Sequence, residues 1–185
     1  MSAMETALVS WKRLDLMGHD ACRLQQVDGG WRLSGVALYH EDALTALSYD
    51  VLHDANWVTR SARISGWVGS RDLELSVERD AAGLWWFNGD SCDGLADCVD
   101  LDLGFTPATN TNVIRRLKPG VGDALKVMIA WIDTSDWQLK PLEQHYQLLS
   151  DGTYDYGAPA LDFRSTLTVD QHGLVTEYGG LWSSA

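Results

Sequence analysis

The side chains with the most chemical potential lie in one run. Between Asp97 and Leu117 the chain reads Asp-Cys-Val-Asp-Leu-Asp-Leu-Gly-Phe-Thr-Pro-Ala-Thr-Asn-Thr-Asn-Val-Ile-Arg-Arg-Leu. On an extended strand Asp100 and Asp102 share one face, while Val99, Leu101 and Leu103 take the other. Together with Asn110, Thr111 and one of Arg115 and Arg116, the two carboxylates could form the polar floor of a pocket that hydrogen-bonds a hydroxylated ligand. The same residues could instead form a buried Asp–Arg network that pins a loop across a sheet, with Thr and Asn satisfying backbone groups. A glycosidase pair is a third possibility, since two strand residues separate the carboxylates by roughly 6.6 Å, near the lower limit for inversion. An adjacent Arg would, however, lower both pKa values, whereas a general acid needs a raised one.

Other chemistry finds little support. Asp-x-Asp has no companion ligands nearby for a divalent metal, and the five histidines are scattered singly. The chain has no Gly-x-Ser-x-Gly elbow, His-Glu-x-x-His, P-loop or Gly-x-Gly-x-x-Gly. Neither catalytic residues, metal ligands nor a cofactor are assigned. Cys22, Cys92 and Cys98 fit no redox or zinc spacing and read as reduced thiols.

The elements that must position this run are strands. Period-2 alternation dominates, and no stretch of ten or more residues carries a helical apolar pattern. Strands are expected over Val9–Leu14, Ala21–Val27, Trp31–Tyr39, Leu44–Leu52, Trp57–Trp67, Leu73–Glu78, Leu84–Asn88, Cys98–Leu103, Val113–Leu117, Leu125–Ile132, Trp137–Leu149, Thr153–Tyr156, Leu161–Val169 and Leu174–Tyr178. Gly- and Asp-bearing turns such as Asp28-Gly29-Gly30 and Asp151-Gly152 join them. On strands, Arg115 and Arg116 would face opposite ways, so only one could meet the carboxylates. The hairpins around Asp80–Gly83 and Asp170–Gly173 share one plan. The fold class is therefore all-β: a single domain over residues 1–185, a many-stranded antiparallel twisted sheet of hairpin repeats curved into a half-barrel.

Length and composition set the outer bounds. With 185 residues the chain can bury roughly 70% of its unfolded surface without staples. A net charge of −12 argues against nucleic acid and anionic membranes as partners. No signal-peptide core lies in Met1–Leu16 and no span of about 20 apolar residues follows, so a cytoplasmic location with no integral membrane segment is expected. Nine tryptophans against three phenylalanines are the unusual feature. They supply either a core or an aromatic ligand surface.

The Asp97–Leu117 run resembles the hallmark of the bacterial family known as "putative glycolipid-binding". The matching residues are Cys98, Asp100, Asp102, Thr106, Pro107, Thr109, Asn110, Thr111, Ile114, Arg115, Arg116 and Leu117. Further similarity lies in Tyr49 followed by Asp54, Trp57 and Arg60, in Gly83-Leu-Trp85, in Gln144 and Tyr146, and in the closing Val169–Tyr178. Two departures are Ala108, where the family has Phe, and Asn112-Val113, where it has Leu-Pro; both leave the loop less apolar and less rigid. The resemblance implies a twisted β half-barrel similar to bacterial lipoprotein carriers, whose concave face would hold a glycolipid or other amphipathic small molecule. It adds Tyr49, Trp57, Thr106, Gln144 and Tyr146 to Asp100, Asp102, Asn110, Thr111, Arg115 and Arg116 as candidate ligand-binding residues. The alternatives are an enzyme acting on a lipid or sugar derivative through Asp100, Asp102 and an adjacent Arg, and a protein-interaction module with an exposed Trp patch.

Overall fold

The computed structural model describes residues 5–185; the first four residues of the Met1–Leu16 segment lie outside that range. One mostly antiparallel sheet of fifteen strands carries the fold. In chain order these are β1 (Thr6–Arg13), β2 (Met17–Val27), β3 (Gly30–His40), β4 (Leu44–Asp54), β5 (Thr59–Val68), β6 (Arg71–Arg79), β7 (Trp85–Phe87), β8 (Asp90–Cys92), β9 (Asp100–Leu103), β10 (Ala124–Asp133), β11 (Gln138–Leu148), β12 (Tyr154–Ala158), β13 (Phe163–Val169), β14 (Val175–Tyr178) and β15 (Trp182–Ser184). The lateral order runs from β8 down to β1, then from β15 down to β9, so β1 and β15 close the middle and β8 and β9 are the two ends. The sheet is not closed into a barrel.

Alternation builds the long strands as expected. In β4, Thr45, Leu47, Tyr49, Val51 and His53 are buried while the residues between them are not. Six of the nine tryptophans (Trp11, Trp31, Trp57, Trp85, Trp137 and Trp182) are buried, so most of the aromatic supply is core. The adjacent Trp85 and Trp86 divide between the faces, the first buried and the second exposed.

The main departure from the expected strands lies in the polar run. Val113–Leu117 is not a strand but the last part of a helix, α1 (Asn110–Leu117), entered through a 3-10 turn at Pro107–Thr109. The cause is topological. Strand β9 runs parallel to β10, and parallel neighbours need a crossover connection, which α1 supplies. Thr106 caps the turn by accepting the Ala108 N–H at 3.2 Å, and Pro107 takes the first position, where its missing N–H costs nothing. Smaller departures follow from turns: Trp57 and Trp137, expected inside strands, sit just before them with φ of 66° and 59°. The short strands β8 and β15 were not expected at all.

Strand β9 has a sheet partner on one side only, yet it lies in the interior. Its free edge is completed by other groups. The Leu101 N–H donates to Thr59 Oγ1 at 3.1 Å, the Leu103 N–H to Thr109 Oγ1 at 3.1 Å, and Asn112 Nδ2 donates to the Leu101 carbonyl at 2.9 Å. The Thr59 N–H reaches the Val99 carbonyl at 3.3 Å. Buried backbone groups need such partners. Replacing Asn112 by Ala strands the Leu101 carbonyl and is expected to lower stability by about 1–3 kcal/mol, read as a lower urea midpoint; an unchanged midpoint would contradict this role.

Candidate functional site

The two carboxylates of the Asp-x-Asp pair share the inner face, opposite Ile129 and Trp131 of β10, but their environments diverge. Asp100 is 1% exposed and is forked by Arg116, whose Nη2 donates at 2.6 Å and Nε at 3.0 and 3.2 Å. On the helix the two arginines are about a quarter-turn apart rather than on opposite faces. Arg115 therefore turns to a different partner. Its guanidinium lies 4.9 Å from the Trp31 ring and 5.0 Å from the Trp57 ring, whose centroids are themselves 5.0 Å apart. The positive φ of Trp57 is set by its turn, in which Asp54 Oδ1 accepts the N–H groups of Asn56 and Val58 and Oδ2 accepts Arg60 Nη2 at 2.5 Å.

Asp102 has no such cation. Among the described residues it forms no ion pair; its Oδ1 accepts Thr109 Oγ1 at 2.9 Å and its Oδ2 accepts Gln144 Nε2 at 2.6 Å. Gln144 is fixed in turn, because Tyr146 Oη donates to its Oε1 at 3.0 Å while Asn110 Nδ2 donates to Tyr146 Oη at 3.0 Å. This chain settles which way the Gln144 amide faces. Burial pushes the carboxyls of both Asp100 and Asp102 above the ordinary range, against the lowering effect of Arg116 on the first and of Thr109 and Gln144 on the second.

Asp102 lies on the wall of an inner-face cavity of about 170 Å³, shared with Thr106, Asn110 and Gln144 among the expected residues and with Trp131, Tyr156, Phe163, Tyr178 and Trp182 among the aromatics. Arg13 stands at this cavity too, held over Trp182 at 5.0 Å and bonded to Asp15. The other expected residues lie elsewhere. Asp100 and Arg116 form the buried clamp, Arg115 and Trp57 the cation–π stack, Tyr146 the support behind Gln144, Tyr49 the support behind Thr106, and Thr111 is fully buried. The aromatic wall of β12, β13, β14 and β15 was missed, although Tyr156 and Tyr178 stood in predicted strands where alternation could have placed them inward. A larger cavity of about 930 Å³ crosses the outer face of β1–β5, lined by Leu8, Ser10, Ala21, Val36, Ser48 and Ser65; of the expected residues only Tyr49 borders it.

Fold and cavity define an all-β protein with one open sheet and, on the wall of an aromatic-lined cavity, a carboxylate that forms no ion pair among the described residues. The sequence model of the family described as "Putative glycolipid-binding" matches residues 8–184, and the chain belongs to that family. A crystal structure of a DUF1089 family protein from Pseudomonas aeruginosa shares the fold, with a TM-score of 0.76 at 23% identity over 99% of this chain and 92% of that one. No functionally curated protein matches. No helix among the described residues is long and apolar enough to cross a membrane.

Two buried groups give the fold a testable electrostatic signature. Burial raises Asp20 to about 7 and lowers His53 to about 4. A raised acid favours its neutral form in the fold, so its contribution is full below about pH 4 and is lost as pH rises toward 7. A depressed histidine loses its contribution as pH falls from about 6.5 toward 4. The two slopes oppose. Asp20→Asn is expected to leave stability rising with pH over that window and His53→Asn to leave it falling, each by a few kcal/mol (about 1.4 per pH unit of displacement) in urea melts at stepped pH; parallel curves would contradict both assignments. Arg116→Met is expected to cost about 3 kcal/mol by stranding Asp100, with Arg116→Lys intermediate because the fork is lost.

Proposed function

We propose that this protein binds an amphipathic glycoside, with a sugar in the Asp102 cavity and the apolar tail leaving along Leu161, Leu181 and Phe163. The observation that carries the reading is Asp102 itself. Each of its oxygens accepts one fixed hydrogen bond and keeps lone-pair capacity free. Vicinal hydroxyls can donate to two carboxylate oxygens at once, and the half-buried Trp131 ring on the same wall suits the apolar face of a sugar ring. The cavity volume fits a head group and not a whole lipid. Asp102 has no ion pair among the described residues, and Arg13, which stands at the same cavity, is already forked to Asp15, which disfavours phosphate and carboxylate head groups, in keeping with the net charge of −12. Membership of the family supports a binding role.

Hydrolysis through the Asp100 and Asp102 pair gains less support. A two-carboxylate mechanism needs both groups at the scissile bond, whereas Asp100 is buried in its fork with Arg116 and stands outside the cavity wall. A cytoplasmic site of action, in a bacterial cell, fits the sequence reading and belongs to the same proposal.

Titration of tryptophan fluorescence with octyl glucoside and with octanol separates head from tail. The glucoside is expected to bind more tightly, and Asp102→Asn to weaken it about tenfold or more, as loss of a charge-assisted hydrogen bond does, while leaving octanol unchanged. Equal affinity for the two probes, or an unaffected Asp102→Asn protein, would overturn the reading.

A further inference from the structure

We propose that Asp20, Tyr49 and Thr106 form a proton-gated hydrogen-bond relay that sets whether the Thr106 hydroxyl is free to donate to a ligand in the Asp102 cavity. The inference rests on the binding reading above. It starts from a buried group with no other evident purpose. Asp20 on β2 is 2% exposed; its Oδ1 accepts Tyr49 Oη at 2.9 Å, and its Oδ2 has no partner among the described residues.

The sequence makes the relay possible at one position. Strand β3 lies between β2 and β4, with Gly35 opposite both Cys22 and Tyr49. A Cβ on Gly35 would stand 2.3 Å from Tyr49 Oη, so only glycine lets the Tyr49 side chain lie across β3 and reach Asp20. On its far side Tyr49 Oη accepts Thr106 Oγ1 at 3.3 Å. Thr106 in turn accepts the Ala108 N–H and borders the cavity that holds Asp102.

The surroundings leave Asp20 as the group that titrates. Trp11 of β1 and Ala37 of β3 flank it in register and carry no charge. Cys22 of its own strand and Tyr49 of β4 face it, and burial holds the thiol at about 12 and the phenol well above its ordinary value. Among the described residues no cation faces it, and desolvation outweighs the lowering effect of the nearby Thr106 and Tyr49 hydroxyls, which brings it to about 7.

The proton bookkeeping is closed. With Asp20 ionised, Tyr49 donates to Asp20, Thr106 donates to Tyr49, and Thr106 offers the cavity no hydrogen. When Asp20 takes one proton from solvent, its new O–H donates to Tyr49 Oη. The Tyr49 O–H swings to Thr106 Oγ1, and the Thr106 O–H is released toward the cavity. Apart from the O–H bond that the solvent proton forms on Asp20, only hydrogen bonds change. One additional donor strengthens binding of a hydroxylated ligand by about threefold to tenfold, and reciprocity requires the ligand to raise the Asp20 midpoint by the same factor.

Two measurements test this separately. In ligand-free protein, NMR titration between about pH 5.5 and about pH 8.5 is expected to show the Ala108 amide moving with the Asp20 carboxyl carbon, and Tyr49→Phe to abolish that coupling while Asp20 still titrates. An Ala108 amide that ignores Asp20, or follows it in Tyr49→Phe, overturns the relay. For binding, octyl glucoside affinity is expected to fall about threefold to tenfold across the same range in wild type and to stay flat in Asp20→Asn. PH-independent wild-type binding, or dependence that persists in Asp20→Asn, overturns it as well. If octyl glucoside binds at no pH, the binding reading fails and the gating proposal, which rests on it, falls with it; the ligand-free titration then reports only whether the hydrogen-bond chain itself exists.

Discussion

A strand edge buried in the middle of the molecule is the constraint on which the rest of this structure turns. Strand β9 pairs with β10 on one side and meets no strand on the other, so its N–H and C=O groups must find side chains. Thr59, Thr109 and Asn112 supply them. The polar residues after Asp102 are thus first of all a substitute for a sixteenth strand. Because β9 is parallel to β10, the chain also has to cross back through a helix, and the helix brings Asn112 and Arg116 to the strand they serve.

That construction separates two carboxylates that look equivalent. Asp100 meets Arg116, reached from sixteen residues further along the chain, and its charge is spent on holding helix to strand. Asp102, one pleat away, is supported only by neutral donors, one of which, Thr109, is already engaged with the strand edge. Scaffold and site therefore share atoms. A substitution at Thr109 would disturb the β9 edge and the orientation of Asp102 together, so the two functions cannot drift independently.

The sheet was legible from alternation because each long strand buries every second residue, as β4 does with Leu47, Tyr49 and Val51. Turn chemistry located most hairpins for the same local reason. The helix was not legible: eight residues are too few for a periodic signal, and Val113 and Ile114 read as strand formers. Its start was written in Thr106-Pro107, a cap followed by a first-turn proline, but those two residues read equally well as a turn. Asp102 and Asn110 could be grouped within one polar run, whereas Thr106 and Gln144 joined them only through the resemblance, and Gln144 arrives from β11, a distant part of the chain. The identity of the arginine that meets the carboxylates depended on helix geometry, and so could not be settled while that segment was drawn extended.

The way the sheet ends also bears on how the protein behaves in company. An open sheet ordinarily offers a row of unpaired groups at each margin on which a strand from another molecule can template. Here one margin is β9, already saturated by threonine and asparagine side chains and enclosed. The other is β8, three residues long, with Asp90 within it and Asp93 just beyond. Fifteen strands without closure would invite polymerisation through the backbone. This sheet avoids it by hiding one margin and shortening the other, so that encounters between molecules must go through side chains.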